Sequence, residues 1–234
     1  MKHTLLIKDW LSSFLSLLFP HCCVVCGRPL AKGEECICTV CNINLPRTNY
    51  HLRKDNPVER LFWGQIPLER ATSFFFYEKG SDFRLILHRL KYGGQKEIGA
   101  IMGRYMAAEL LSSHFFQGID VIIPIPLHKK KQQIRGYNQS EWIARGIAAV
   151  TGIPIDTESI LRKKNTETQT RKSVFERRDN VEGIFELQHP ETLAGKHILI
   201  VDDVLTTGST TLACASCLVN VEGIQISILT LATA

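Results

Sequence analysis

The segment at 196–212, with the sequence KHILIVDDVLTTGSTTL, limits the possible folds of this chain more than any other. An apolar, β-branched stretch runs directly into two carboxylates, then into a short loop of hydroxyl residues and glycine, and then into a helical pattern. A wholly apolar strand is typical of a parallel sheet that is covered on both faces. Polar residues that follow such a strand lie at the carboxyl edge of the sheet, where α/β proteins bind their ligands. The segment therefore predicts an α/β domain with a ligand site in this loop.

The residue types in this loop favour a sugar phosphate as the ligand. Backbone N–H groups and hydroxyls that converge at a helix N-terminus suit a phosphate dianion. The residues in that position are Thr206, Thr207, Gly208, Ser209 and Thr210. Asp202 and Asp203 are poor neighbours for a phosphate but suitable acceptors for the two vicinal hydroxyls of a ribose. A ribose 5-phosphate fits both groups, whereas a Walker A site would need a Gly-Lys-Ser/Thr string that is missing here. The simpler alternative is a strand end followed by a solvated helix cap.

An alternation of strand and helix patterns extends this prediction to most of the chain. Strands are expected at 71–77, 120–127, 197–203 and 224–231, and helices at 83–90, 98–111, 140–150 and 209–219. This alternation predicts a parallel sheet with helices on both faces. A chain of 234 residues can form one such domain, expected at 60–234, and a small appendage. The formal net charge of +5 favours phosphorylated small molecules or nucleic acid as partners.

Six cysteines lie between residues 22 and 41 and predict a small metal-binding module at 21–50. Two C-x2-C pairs, Cys23 with Cys26 and Cys38 with Cys41, can supply four thiolates to a tetrahedral ion, and Zn²⁺ suits them. An iron–sulfur cluster is the alternative. The module is too short to have a sizeable core, so metal coordination is expected to stabilise it.

Residues 1–20 contain an apolar pattern that Lys8, Asp9 and three serines interrupt. A membrane span needs about 20 mainly apolar residues, and the small-residue cleavage site of a signal peptide is missing. The pattern predicts an amphipathic helix that packs on the rest of the protein, with a membrane-surface helix as the alternative. No transmembrane segment or export signal is therefore expected, which favours a cytoplasmic location. Because the cytoplasm keeps thiols reduced, the cysteines are expected to bind a metal rather than to form disulfides.

Several short strings indicate a family resemblance over nearly the whole chain. VDDVLTTGST at 201–210 closely resembles the phosphoribosyl diphosphate loop of type I phosphoribosyltransferases. Together with LHRLKYGGQ at 87–95, PIPLHK at 124–129, RGYNQ at 135–139, Gln169, RDNVEGIF at 178–185 and the cysteine pairs, it resembles the ComF family of competence-associated proteins.

This resemblance implies a type I phosphoribosyltransferase fold and roles for individual residues. Asp202 and Asp203 would contact the ribose hydroxyls, and residues 206–210 would hold the 5-phosphate. Mg²⁺ would be bound mostly by the diphosphate and ribose of the ligand rather than by the protein. Members of the family are linked to DNA uptake in natural transformation, and enzymatic activity is not established across the family.

Two basic segments complete the expected site. Lys129 and Arg135 follow the strand at 120–127, where related transferases bind diphosphate, so the resemblance implies that they stabilise the departing diphosphate. Residues 162–178 include seven lysines and arginines and look like the flap that closes over diphosphate in those enzymes. The same positive charge would attract a nucleic-acid backbone.

Two functions of different classes remain open at this point. In the first, the protein is an accessory factor in DNA uptake that binds phosphoribosyl diphosphate or another ribose 5-phosphate, and also single-stranded DNA or uptake proteins. In the second, it is a phosphoribosyltransferase that acts on an unidentified acceptor, with Asp202, Asp203, Lys129 and Arg135 in catalytic roles. The first is favoured because no segment except the cysteine module offers an evident grip for an acceptor base.

Overall fold

The computed structural model describes residues 21–163 and 183–234. The amphipathic helix expected at 1–20 lies outside the described residues, as does most of the flap expected at 162–178. Of that flap, only Arg162 and Lys163 are described.

The described elements follow the alternation that the sequence predicts. In chain order they are α1 (Thr39–Ile43), α2 (Pro57–Arg60), β1 (Leu68–Phe76), α3 (Arg84–Tyr92), α4 (Glu97–Leu111), β2 (Val121–Pro124), α5 (Lys129–Arg135), α6 (Gln139–Thr151), β3 (Ile160–Arg162), β4 (Phe185–Leu187), β5 (His197–Leu205), α7 (Ser209–Ser216) and β6 (Gln225–Thr233). Short 3₁₀ turns occur at Tyr50–Leu52 and Pro190–Thr192. The predicted strands and helices are present with small shifts at their ends.

Four of the strands form one parallel sheet in the order β1-β6-β5-β2, while β3 and β4 form a separate antiparallel pair. In the register of the sheet, Pro124 at the end of β2 pairs with Val201 of β5. Asp202 is the next residue along β5 and pairs with Thr230 of β6. Because all four strands run in the same direction, the two aspartates lie at the carboxyl edge of the sheet, as expected for a ligand site.

Both faces of the sheet are buried, which confirms the predicted α/β architecture. Side chains alternate between faces along a strand, and β5 shows the result. Ile198 and Ile200 pack in one cluster with residues of α2 and α7, whereas Leu199 and Val201 pack in the other with residues of α3, α4 and α6.

Helices α4 and α6 approach each other closely through glycines. A Cβ atom on Gly146 would lie 2.0 Å from the Ala100 carbonyl oxygen, and one on Gly103 would lie 2.3 Å from the Ile143 carbonyl oxygen. Real Cβ atoms do not approach oxygen so closely, so only glycine permits this backbone contact. The contact fixes the position of α6, whose first turn reaches the aspartate pair.

The cysteine-rich segment packs against the main domain instead of standing apart. Arg47 Nε donates to Glu109 Oε2 of α4 at 2.6 Å, and Arg104 of α4 forms an ion pair with Glu35. Buried residues of the segment, among them Cys23 and Ile37, belong to the same hydrophobic cluster as the residues of α4. The module therefore completes its small core with side chains of the main domain.

Candidate functional site

The two aspartates at the end of β5 are held by groups from two helices. Asp202 Oδ1 accepts a hydrogen bond from Ser140 Oγ at 2.9 Å and another from the Asp203 backbone N–H at 2.8 Å. Asp203 Oδ1 lies 3.1 Å from the Lys91 ammonium. Ser140 lies in the first turn of α6 and Lys91 near the end of α3, so two helices meet the end of β5 at the acid pair.

The environment of Asp202 favours the protonated form of its carboxyl group. Burial raises the pKa of Asp202 to about 7, and the neighbouring charge of Asp203 adds to the rise. The Asp203 N–H, the Ser140 hydroxyl and Lys91 oppose it. Because a deprotonated carboxylate accepts hydrogen bonds from ribose hydroxyls, Asp202 gains this ability as the pH rises through neutrality.

The loop after the aspartates leaves donors available at the start of α7. Gly208 precedes the helix with a φ of 75°, in the left-handed region that favours glycine, and it provides no side-chain cap. The first N–H groups of a helix have no partner within it. Thr206, Thr207 and Thr210 are exposed, and Thr207 Oγ1 lies 2.9 Å from Ser209 Oγ. Hydroxyl and backbone donors of this kind suit a phosphate.

Four cations gather beside the acid pair. Burial lowers the pKa of Lys131, and the positive charges of Arg162, Arg135 and Lys91 lower it further. Burial also lowers the pKa of the Arg162 guanidinium, although the charge of Asp202 opposes that effect. The cations come from α3, α5 and β3 and together can attract an anion with several charges, such as diphosphate.

Of the two predicted diphosphate residues, Arg135 lies in this group, whereas Lys129 lines a cleft that one member of the group, Arg162, also lines. Lys129 is exposed at the start of α5 and lines a cleft of about 600 Å³ with His128, Lys163 and Glu186. Arg162 also lines the cleft, so the cleft adjoins the acid pair.

Sequence reasoning missed Lys91 and Ser140 as members of the site. Both lie in or directly beside strings that carry the family resemblance, Lys91 within 87–95 and Ser140 after 135–139. That position is the only signal that could have identified them, since their contacts with the aspartates join residues far apart in the sequence.

The four cysteines of the two C-x2-C pairs form one compact cluster. The sulfur atoms of Cys23, Cys26, Cys38 and Cys41 all lie within 4.8 Å of one another, and those of Cys26 and Cys38 are 3.7 Å apart. Tetrahedral ligands at a Zn–S distance of 2.3 Å lie about 3.8 Å from each other. The cluster therefore has the geometry to hold one metal ion.

The two remaining cysteines of this segment lie outside the cluster. Cys22 is exposed, whereas Cys36 is buried and its pKa is raised to about 12, mainly by burial. Neither sulfur belongs to the group of four that lie within 4.8 Å of one another, so the geometry does not include Cys22 or Cys36 among the ligands.

Within the described part of the chain, none of the helices has the length and apolar character that crossing a bilayer requires.

Comparison with known proteins adds independent evidence. The phosphoribosyl transferase domain family matches residues 139–234, which include the aspartate pair and its loop. The DNA utilization protein YhgH of Escherichia coli O157:H7 is 32% identical over 209 residues, covering 83% of this chain and 88% of that protein. Competence protein F of Haemophilus influenzae is 32% identical over 130 residues, 54% of this chain and 57% of that protein. Competence protein ComFC of Bacillus subtilis is 25% identical over 210 residues, 88% of this chain and 75% of that protein.

The match to YhgH spans most of both chains. Together with the parallel sheet and the matched domain, it confirms the resemblance found in the sequence: this chain belongs to the ComF family and contains a phosphoribosyltransferase domain.

Proposed function

We propose that this protein acts in DNA utilisation or uptake and binds phosphoribosyl diphosphate, or another ribose 5-phosphate, at residues 202–210. The observation that carries the ligand assignment is the position of Asp202 and Asp203, at the end of a buried strand and directly before the uncapped start of α7. The names of the relatives, DNA utilization protein and competence protein, support the cellular role.

In this proposal, each part of the site meets one part of the ligand. The carboxylates of Asp202 and Asp203 accept hydrogen bonds from the ribose hydroxyls, and residues 206–210 donate to the 5-phosphate. The cations Lys91, Lys131 and Arg162 face the diphosphate. Mg²⁺, bound mainly by the ligand, would neutralise part of the diphosphate charge. Lys91 must then exchange its contact with Asp203 for one with the ligand, which frees that carboxylate for the ribose.

Asp203→Asn is expected to weaken the binding of phosphoribosyl diphosphate by roughly 10- to 150-fold. An amide loses the charge-assisted acceptance of a hydroxyl proton, and a hydrogen bond to a charged group contributes about 1.5 to 3 kcal/mol. Calorimetry in magnesium buffer measures the change. Asp82→Asn is the matched control, because it removes the same charge from an exposed position in the loop before α3. An Asp203→Asn protein with the affinity of the wild type would exclude the ribose contact.

We also propose that the cysteine cluster binds a structural Zn²⁺ ion through Cys23, Cys26, Cys38 and Cys41. The short separations among the four sulfurs support a single ion rather than a multi-iron cluster, whose irons would keep some of the ligands further apart. Four thiolates favour zinc among the common divalent ions.

A second candidate function, phosphoribosyl transfer, is favoured by the four cations beside the acid pair. Such a group would stabilise the charge on diphosphate as it leaves the anomeric carbon, without a covalent intermediate on the protein. Incubation with phosphoribosyl diphosphate, Mg²⁺ and candidate acceptors, with diphosphate release as the readout, distinguishes an enzyme from a protein that only binds the ligand.

For the DNA role, single-stranded DNA is expected to bind through the basic residues that begin at Lys163. Replacing Lys163, Lys164, Arg171 and Lys172 with Gln should lower the affinity and flatten its dependence on salt, because each lost phosphate contact reduces the number of released counterions. Fluorescence anisotropy at several salt concentrations measures both. The control replaces four exposed cations from elsewhere in the chain with Gln, namely Arg28, Lys32, Arg53 and Lys54. An unchanged slope in the first variant would exclude these residues as DNA contacts.

A further inference from the structure

Lys91, near the end of α3, already occupies one of the two carboxylates that the proposed ribose contact requires. Its Nζ lies 3.1 Å from Asp203 Oδ1, and the two side chains are only 22% and 13% exposed. Water therefore screens this ion pair less than it screens a pair on the open surface. A ribose hydroxyl that approaches Asp203 Oδ1 competes with an ammonium that is in place before the ligand arrives.

The backbone that carries Lys91 is fixed, so only its side chain can yield to the ligand. Leu90 is fully buried, and its carbonyl oxygen accepts a hydrogen bond from the Tyr137 hydroxyl at 2.5 Å. Carbonyl groups in the last turn of a helix have no partner within the helix, and Tyr137 supplies one here. Lys91 can therefore exchange Asp203 for a ligand through the rotation of one long side chain, without a movement of α3.

The charges around Lys91 determine which ligand can release it. Lys91 belongs to the group of four cations beside the acid pair, together with Lys131, Arg135 and Arg162. An ammonium that leaves Asp203 without meeting another anion loses its counter-charge and remains among three like charges. Breaking the pair is also unfavourable for the carboxylate, because little water can replace the ammonium. A diphosphate supplies Lys91 with a new partner, whereas ribose 5-phosphate, with its single phosphate in the loop before α7, does not.

We propose that Lys91 is a specificity-determining residue, which blocks the ribose contact of Asp203 until a diphosphate on the ligand replaces that carboxylate as its partner. This inference rests on the proposed ribose 5-phosphate site and adds the reason for its choice between ligands. Binding of the diphosphate and binding of the ribose hydroxyls are then coupled, because the anion that attracts Lys91 also frees the acceptor. Ribose 5-phosphate has to break the ion pair without this compensation.

The test compares phosphoribosyl diphosphate with ribose 5-phosphate by calorimetry in magnesium buffer, for the wild type and for Lys91→Met. Methionine keeps an unbranched side chain of similar length and removes the ammonium. The affinity for phosphoribosyl diphosphate should fall by roughly 10- to 150-fold, the range for the loss of a hydrogen bond to a charged group. The affinity for ribose 5-phosphate should instead rise, by at least the roughly 2- to 5-fold that corresponds to an exposed ion pair. A variant that fails to fold cannot bind one of the ligands more tightly.

Two further variants serve as controls. Lys91→Arg keeps the positive charge and should keep the preference for phosphoribosyl diphosphate. Lys79→Met removes the same charge from an exposed position in the loop before α3 and should leave both affinities unchanged.

The possible results separate this inference from the function on which it rests. Equal losses for both ligands in Lys91→Met, or no change in either, would overturn the proposal and leave the ribose phosphate site itself intact. A loss for phosphoribosyl diphosphate with no gain for ribose 5-phosphate would also overturn it, because Lys91 would then not compete with the ribose. If the wild type bound neither ligand, the proposed function would be excluded, and this inference with it.

Discussion

Cys26→Ser and Cys41→Ser are each expected to lose the bound metal and to lower the melting temperature of the whole protein substantially. Four thiolates within 4.8 Å of one another form a single site, and removing one ligand leaves an incomplete tetrahedron. Structural zinc contributes roughly 10 to 16 kcal/mol to the folding of isolated peptides. Elemental analysis of freshly purified protein should find one zinc per chain in the wild type, and thermal unfolding reports the loss of stability.

Two other cysteines provide controls for this experiment. Cys22→Ser replaces an exposed thiol outside the cluster and should retain both the zinc and the stability. Cys36→Ser should retain the zinc but lose some stability, because it introduces a hydroxyl at a buried position. Undiminished zinc in Cys26→Ser would exclude the ligand set, and iron in place of zinc would favour the iron–sulfur alternative.

The shared core determines how far the effect of metal loss extends. From the sequence alone, one expects the main domain to fold from about residue 60 onward without the metal, because that domain has its own core. In the structure, Cys23 and Ile37 pack in the same cluster as α4 and β1. Losing the metal therefore exposes apolar surface of the main domain as well, and a measurable loss of stability outside the module is expected.

The features that the sequence predicts correctly are local ones. The strand at 197–205 is apolar until it reaches the aspartates, and the glycine that precedes α7 follows within a few residues, so short-range patterns contain both the strand and the loop. The cysteine cluster is equally local, because two short pairs supply its four ligands. These parts of the fold and of the site are readable from a single sequence.

The parts that the sequence does not predict depend on contacts between distant residues. Ser140 and Asp202 are 62 positions apart, and neither hydrophobic periodicity nor residue type connects them. The same holds for Lys91 and Asp203, and for the packing of the cysteine module on α4. Helix α2 was also not predicted, although its signal is local: Asn56 caps it and Glu59 completes a capping box.

Asp202→Asn is expected to stabilise the ligand-free protein at pH 8 while it weakens the binding of ribose phosphates. Burial, together with the charge of Asp203, raises the pKa of Asp202 in the folded state to about 7, above the ordinary value of 3.8. The folded state therefore holds this proton more tightly than the unfolded state does. The contribution of Asp202 to the free energy of unfolding falls as the pH rises from about 4 to 7 and is lowest above pH 7.

Asparagine has no proton to lose, so it removes this dependence on pH. The gain in the free energy of unfolding from Asp202→Asn should be about 2 to 3 kcal/mol larger at pH 8 than at pH 5. Denaturant unfolding of both proteins at the two pH values, without ligand, measures it. Asp82→Asn removes an exposed carboxylate and should show almost no difference between the two pH values. An equal effect of Asp202→Asn at pH 5 and pH 8 would mean that burial does not hold the proton on this carboxyl group. A stabilised variant that no longer binds ribose phosphate would instead show that the buried charge is kept for the ligand at a cost to the fold.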